Sequence, residues 1–372
     1  MNETADLAEV AEGFALQGAY GAAVPYGSGH INDTFAVTYS QAGARLRYIF
    51  QRINERIFTD PAGLMENIRR VTEAAQAVLK VTPGITDPSR RALRVIPGND
   101  GRAFHLDAQG KYWRCYPFIE GARTYDVIEN SRQAYEAAKA FGEFQRLVSG
   151  LEGPRLNETI PHFHHTRSRF EKLRAAVTED AMGRLAEVAT EWAFAQQREP
   201  MVDVLLDLAA RGEIPERITH NDTKLNNVMI DDTTGTGICV IDLDTVMPGL
   251  ALYDFGDLVR TATSPAAEDE RDLSRVHMQM PMFEALARGY LESAGSFLTA
   301  TERAYLPFSG KLIAFEIGLR FLTDYLQGDL YFKTKRPGHN LDRARTQFAL
   351  VQSIEDQETA MNAFVTSLKI NS

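Results

Sequence analysis

The chain has 372 residues, enough for more than one buried core, and its 44% hydrophobic and 24% charged residues are the balance of an ordinary globular protein. A formal net charge of -10 argues against a protein that holds nucleic acid by neutralising phosphates, although one nucleotide gripped by a local cluster and metal ions stays compatible. Cys115 and Cys239 are too few for a disulfide framework and fit a reducing compartment.

The first residues alternate acidic and apolar side chains without the basic start and continuous apolar run of a signal peptide. The longest apolar stretch, near Val240, is cut by Asp242 and Asp244, so no span of a membrane is expected. The expectation is a cytoplasmic protein with no nucleic-acid or membrane partner and no obligatory protein partner.

Leu7, Val10, Ala11, Phe14 and Ala15 recur at helical spacing and predict a helix over 5–17. A glycine-containing turn, Tyr26 to Thr34, leads into a strand over 35–39, and after a turn at Gly43 a second strand over 46–53 completes a hairpin. Residues 62–80 carry Leu64, Ile68, Val71, Ala75 and Leu79 on one helical stripe. Short β-prone runs follow over 91–118, broken by Gly98 to Gly101 and by Gly110. From about residue 131 the pattern is helical, interrupted by one strand-turn region at 216–247. The chain thus divides near Glu120-Gly121 into a β-rich part, 1–120, and an α-rich part, 121–372, an α+β organisation.

Chemistry concentrates in that interruption. Ile218 to Ile230 contains His220-x-Asp222-x-x-x-x-Asn227, and a β-branched run from Gly237 then delivers Asp242. Phosphoryl transfer needs a carboxylate that orients an acceptor hydroxyl and takes its proton, the part Asp222 can play, and oxygen ligands for Mg2+, which Asn227 and Asp242 can supply. An isolated Asp-Asn pair near a turn is usually only a turn device. Here the order and spacing of four residues, after a β-rich part with a glycine turn, carry the reading. His220 braces the loop, and Asp244 stands behind Asp242.

Other features are weaker. Gly27 and Gly29 would let backbone approach nucleotide phosphates, although Gly-Ser-Gly is more often merely a turn. Where a kinase carries a phosphate-gripping lysine, the strand Tyr48 to Arg52 offers Gln51 and Arg52. Lys224 could bring positive charge to the transferring group, and an exposed structural lysine explains it equally well. His162-Phe163-His164-His165 lacks the partners of a zinc site and reads as structural. Arg320 to Phe332 mixes aromatic, cationic and acidic groups as sugar sites do, and as many helix interfaces do.

The His220 to Asn227 run with Asp242 resembles the aminoglycoside-phosphotransferase and choline-kinase-like family. The runs 219–227, 241–249, 253–260, 306–310 and 320–332, with Tyr26 to Asp33, resemble the bacterial N-acetylhexosamine 1-kinases within it, across essentially the whole chain. The resemblance implies a protein-kinase-like two-lobed fold, with a nucleotide-binding lobe and hinge over 1–120 and a catalytic, sugar-binding lobe over 121–372. It implies ATP and Mg2+ as cofactors, a small-molecule sugar as substrate, and transfer to the C1 hydroxyl of N-acetylglucosamine or N-acetylgalactosamine. Gly27, Gly29, Gln51, Tyr116, Phe118 and Lys224 would then meet the nucleotide, Asn227 and Asp242 the metal, and His30, Asp222, Arg320 and Tyr331 the sugar. Glutamine at position 51 matches that narrower group, whereas Thr261 replaces a sugar-pocket phenylalanine, which touches the choice between gluco and galacto epimers. The rival expectations are the same fold acting on another small hydroxyl acceptor, such as another sugar, an amino-alcohol or an aminoglycoside, and a non-catalytic nucleotide-binding module. A protein kinase is disfavoured because no Ala-Pro-Glu segment follows Asp242.

Overall fold

The computed structural model describes residues 3–27 and 31–369. Two compact units form: the first comprises Met1–Arg123, Leu147–Pro161 and Met229–Met247, and the second Thr124–Arg146, His162–Val228 and Pro248–Ser372.

The first unit is built on an antiparallel sheet of β1 (Ala19–Pro25), β2 (Asp33–Gln41), β3 (Ala44–Arg52), β4 (His105–Leu106) and β5 (Tyr112–Pro117), in the order β1-β2-β3-β5-β4. Ala42 and Gly43 join β2 to β3 with φ of 47° and 80°, the two positive values that match a two-residue hairpin turn to strand twist. β1 escapes the sequence reading because it is an edge strand: Gly21, a register shift between Tyr20 and Ala23, and a terminal Pro25 mask its alternation. Helix α1 (Glu3–Glu12) ends before Gly13, earlier than the apolar spacing suggested, and Phe14 leaves it to pair with Gly98 as a β-bridge. Leu7, Val10, Ala11 and Phe14 pack on Val37, Tyr39, Phe50, Ile96, Trp113 and Cys115 as one core. The Cys115 thiol is driven well above its ordinary pKa by burial, as is that of Cys239, which burial pushes up to about 12.

Helix α2 (Pro61–Val81) starts where Asp60 accepts the Gly63 N–H at 2.9 Å and Pro61 fixes the first turn. Its predicted stripe is buried. Asn67 lies fully buried in that stripe and donates to the carbonyls of Asn157 (2.8 Å) and Val246 (3.0 Å), so the distant segments of the unit are tied to this helix. A small sheet of β6 (Ala122–Arg123), β8 (Val228–Asp231) and β9 (Gly237–Val240) completes it, and the chain also forms two short strands, β7 (Arg217–Thr219) and β10 (Met247–Gly249).

The second unit is helical: α3 (Ser131–Val148, apart from its last two residues), α4 (Thr166–Glu179), α5 (Ala189–Gln197), α6 (Val204–Ala210), α7 (Ala251–Ala262), α8 (Met280–Ala294), α9 (Ala300–Ala304), α10 (Leu306–Leu326) and α11 (His339–Ser367). α10 is apolar around most of its circumference because α4, α7 and α11 all pack on it. Gly256 of α7 sets one approach, since a Cβ there would fall 2.5 Å from the Ser309 carbonyl oxygen.

α7 also carries Asp254, which has no solvent exposure. Its carboxylate accepts the backbone N–H groups of His220 (2.9 Å) and Asn221 (2.7 Å) and the Gln145 side-chain amide (2.6 Å). Burial raises its pKa against the pull of these donors and of His220. Asp254→Asn turns one acceptor into a donor facing N–H groups. It should lower the unfolding free energy by about 3 kcal/mol in a urea titration, and near-unchanged stability would show the anchor to be dispensable.

Candidate active site

The loop after β7 is held from below and from the side. The His220 ring is fully buried, edge-on to Phe141 (5.2 Å) and Phe144 (5.9 Å), and its Nδ1 accepts the Asp222 N–H at 3.3 Å, so it braces the loop. Asn221 takes a left-handed conformation, φ 65°, and its carbonyl faces Nε2 of buried His164 at 3.2 Å. The other His164 nitrogen meets the Glu316 carboxylate at 2.8 Å, which also accepts the Thr166 hydroxyl at 2.6 Å. His165 accepts the Ser168 N–H at the start of α4. His164 and His165 are thus engaged in hydrogen bonds that steady the loop and the start of α4, and no group of three metal-binding side chains occurs among the described residues.

Asp222 stands on this support. Its Oδ2 meets Lys224 Nζ at 3.0 Å and the Asn227 amide nitrogen at 3.1 Å, and its side chain keeps 30% exposure. Oδ1 accepts no hydrogen bond among the described residues. Burial pushes the carboxyl pKa up, but Lys224, His220 and Asn227 outweigh it and hold the group below the ordinary value of 3.8, hence ionised at neutral pH. The arrangement offers an oriented carboxylate with one oxygen open to a hydroxyl proton. Asn227 is nearly buried and spends its amide nitrogen on Asp222, donating also to the Asp222 carbonyl at 2.9 Å, which turns its Oδ1 into the remaining ligand atom.

The first unit carries a second cluster. Asp242, two residues beyond β9, has φ 57°, a strained conformation for a residue with a side chain, and is exposed. Asp244, two residues on, is buried and forms an ion pair with Arg114, whose side chain is only 1% exposed. Asn32 donates to the other Asp244 oxygen at 2.5 Å. Gln51 lies opposite Arg114 in the β3–β5 ladder, accepts its Nε at 2.9 Å and donates to Thr34 at 3.0 Å. Gln51 is thus engaged with neighbours on both sides. Arg114 is the residue that sequence reading missed, although a charge inside Tyr112-Trp113-Arg114-Cys115-Tyr116 was a legible signal, since a cation in a buried strand needs a partner. Taken separately, Asp242 in the first unit offers an exposed carboxylate and Asn227 in the second an amide oxygen, each a hard ligand of the type Mg2+ prefers.

Among the remaining nucleotide candidates, Gly27 has φ 82° and nothing within 4 Å of a built Cβ, so its glycine serves the turn and not a close protein contact. Gly29 and His30 lie outside the described residues. Tyr116 is buried. Phe118 lies under the Arg47 guanidinium at 3.6 Å, and its N–H donates to the Arg47 carbonyl at 3.0 Å.

In the second unit Arg320 on α10 has the rings of Phe163, Phe332 and Tyr331 at 5.4, 5.5 and 5.8 Å. Tyr331 is 67% exposed, and the loop bearing it is fixed by Asp324, which accepts the N–H groups of Leu330, Tyr331 and Phe332. Arg169 and Lys172 sit close enough to Arg320 that burial, together with the neighbouring cations, lowers both of their pKa values. Thr261 turns its hydroxyl onto the carbonyls of Asp257 (2.8 Å) and Thr223 (3.3 Å), so it is packed against the loop of Asp222.

Residues 22–306 match a family model described as APH, phosphotransferase enzyme family. Among solved structures, the chain is similar to an aminoglycoside phosphotransferase from Alicyclobacillus acidocaldarius subsp. acidocaldarius DSM 446, at a TM-score of 0.59 and 13% identity over 96% of each chain. A choline kinase from Cryptosporidium parvum Iowa II gives 0.55 at 14% identity over 95% of each. A spectinomycin phosphotransferase in complex with ADP and spectinomycin gives 0.51 at 13% identity, over 91% of this chain and 94% of the other. At these identities the likeness establishes the fold, protein-kinase-like with a β-sheet N-terminal region and a helical C-terminal region. The family match covers most of the sequence, and the chain belongs to the APH phosphotransferase enzyme family.

Proposed function

We propose that the chain is an ATP-dependent kinase that phosphorylates the C1 hydroxyl of N-acetylglucosamine and N-acetylgalactosamine. The observation that carries the kinase reading is Asp222, ionised, oriented by Lys224 and Asn227, and open at Oδ1. Asp222 would accept the hydroxyl proton as the bond to phosphorus forms, while Lys224 balances charge beside it. Asn227 and Asp242 would hold Mg2+, which when bound neutralises phosphate charge. The first unit would bind the nucleotide. Because the Phe118 N–H is committed to Arg47, the adenine edge would be met by the Ile119 N–H, which has no partner among the described residues, with Tyr116 three residues before it, while Gly27 and Gly29 would cover the phosphates. Nucleotide binding is supported further by the ADP that the spectinomycin phosphotransferase structure names.

The acceptor reading rests on sequence resemblance and on charge. Arg320, Arg169 and Lys172 form a cationic group in which burial and the neighbouring cations lower the Arg169 and Lys172 pKa values, a poor host for choline or an aminoglycoside and a tolerable one for a neutral sugar. Arg320 and Tyr331 present N–H donors and ring faces suited to hydroxyls and a pyranose, and His30 would join them. The cytoplasm is the expected setting, where ATP is supplied.

Mg-ATP turnover, followed as ADP release, should be strong with the two acetamido sugars and weak with glucose, choline, homoserine and an aminoglycoside, and phosphorus NMR should place the product phosphate on C1. Turnover with choline or the aminoglycoside alone would overturn the sugar assignment and keep the kinase. Asp222→Asn should lower kcat about 1,000-fold while sugar binding by calorimetry persists, and near-normal kcat would remove Asp222 as the base. Since Lys224 is the leading charge that depresses the Asp222 pKa, Lys224→Met should move the acidic limb of kcat/KM to higher pH. An unmoved limb would mean that the limb belongs to another group.

A further inference from the structure

Kinases of this architecture grip the nucleotide phosphates with a strand lysine that is ion-paired to a helix glutamate. Here both halves of that device are missing together. Position 51 is glutamine, with its amide nitrogen spent on Thr34. The buried face of α2 carries no carboxylate: Glu66 and Glu73 lie on the exposed side, both paired with Arg69. A buried ion pair does exist in the same unit, but it joins β5 to the turn that follows Asp242, through Arg114 and Asp244.

We propose that Arg114 is the phosphate-binding cation of the nucleotide site, aimed by Gln51 and tied by Asp244 to the turn that bears Asp242; this rests on the nucleotide-binding reading above. Thr34, Gln51 and Arg114 are successive cross-strand partners on β2, β3 and β5, so their side chains share one face of the sheet. The row delivers the guanidinium in a defined orientation: Nε to Gln51 and Nη1 to Asp244. A guanidinium has five N–H donors, and Nη2 has no acceptor among the described residues. An arginine this deeply buried is costly unless its donors are used, and an anion arriving beside the Asp242 turn would use them. Burial opposes the Arg114 charge, yet Asp244 and, at longer range, Asp242 keep it fully protonated. Asp244 itself is saturated by Arg114 and Asn32, which leaves Asp242 as the carboxylate of the pair facing solvent. A planar fork also suits phosphate oxygens better than the point charge of lysine does.

The test is calorimetric binding of ADP and AMP to the full chain, with and without Mg2+ and with no acceptor present. Arg114→Met should weaken ADP binding roughly 10- to 100-fold while AMP, lacking the β-phosphate, changes less than about threefold. The double variant Gln51→Lys, Arg114→Met moves the cation to the strand position used by kinases and should recover most of the ADP affinity. Equal weakening of ADP and AMP, or no recovery in the double variant, would reduce Arg114 to a structural brace and overturn the proposal. If Arg114→Met does not fold, Gln51→Glu decides: an isosteric carboxylate against the guanidinium should weaken ADP and spare AMP, and unchanged ADP binding would refute the role. Failure of the underlying reading looks different, because the unsubstituted chain would then bind neither nucleotide.

Discussion

The candidate catalytic loop hangs on one buried carboxylate. Asp254 sits at zero exposure on α7 and receives two consecutive backbone N–H groups, from His220 and Asn221, plus the amide of Gln145. Consecutive amides can converge on one acceptor only if the chain bends sharply, and the left-handed conformation of Asn221 supplies the bend. The cost of burying Asp254 is offset by those three donors, and its own carbonyl accepts the Thr223 hydroxyl at 2.6 Å. Asp222 projects from a loop fixed on both sides of it, so its position is set before any ligand arrives.

A second layer works from the side. His164 spans between the Asn221 carbonyl, at 3.2 Å from Nε2, and the Glu316 carboxylate, at 2.8 Å from Nδ1, so one buried ring links the loop to α10. Glu316 is buried, yet His164, Thr166 and Arg320 hold its pKa below the ordinary carboxylate value. Arg320 follows Glu316 by four residues on α10, one helical turn. The residue proposed to meet the acceptor and the residue that steadies the loop of the base therefore share one rigid, fully packed helix.

Much of this was legible in sequence, for identifiable reasons. The stripe of α2 and the hairpin of β2 and β3 follow from period and turn chemistry, and the α+β order follows from them. The spacing from His220 to Asn227 fixes which side chains share a loop, and the structure brings Asp222, Lys224 and Asn227 within hydrogen-bond reach. Periodicity has no access to the rest. Strand β1 hides behind Gly21 and Pro25, and α1 is shortened by Gly13 where the apolar pattern runs on. The pairing of Arg114 with Asp244 spans 130 residues, and its signal was only a charge in an apolar strand. Nothing in the sequence around Asp254 marks it as an anchor, because the two backbone amides that it accepts come from a loop more than thirty residues earlier in the chain.

The two cysteines have a practical meaning. Cys115 lies in the middle of β5 and Cys239 in β9, both buried, with burial raising both pKa values so that thiolate is scarce at neutral pH. Alkylating dyes attack thiolates that they can reach, so the folded chain is almost silent towards maleimide chemistry as it stands. Cysteines introduced at exposed positions, one on each unit, can carry a fluorophore pair without removal of either native thiol. Distances between the units then become measurable in solution, on a protein whose native sequence is otherwise untouched.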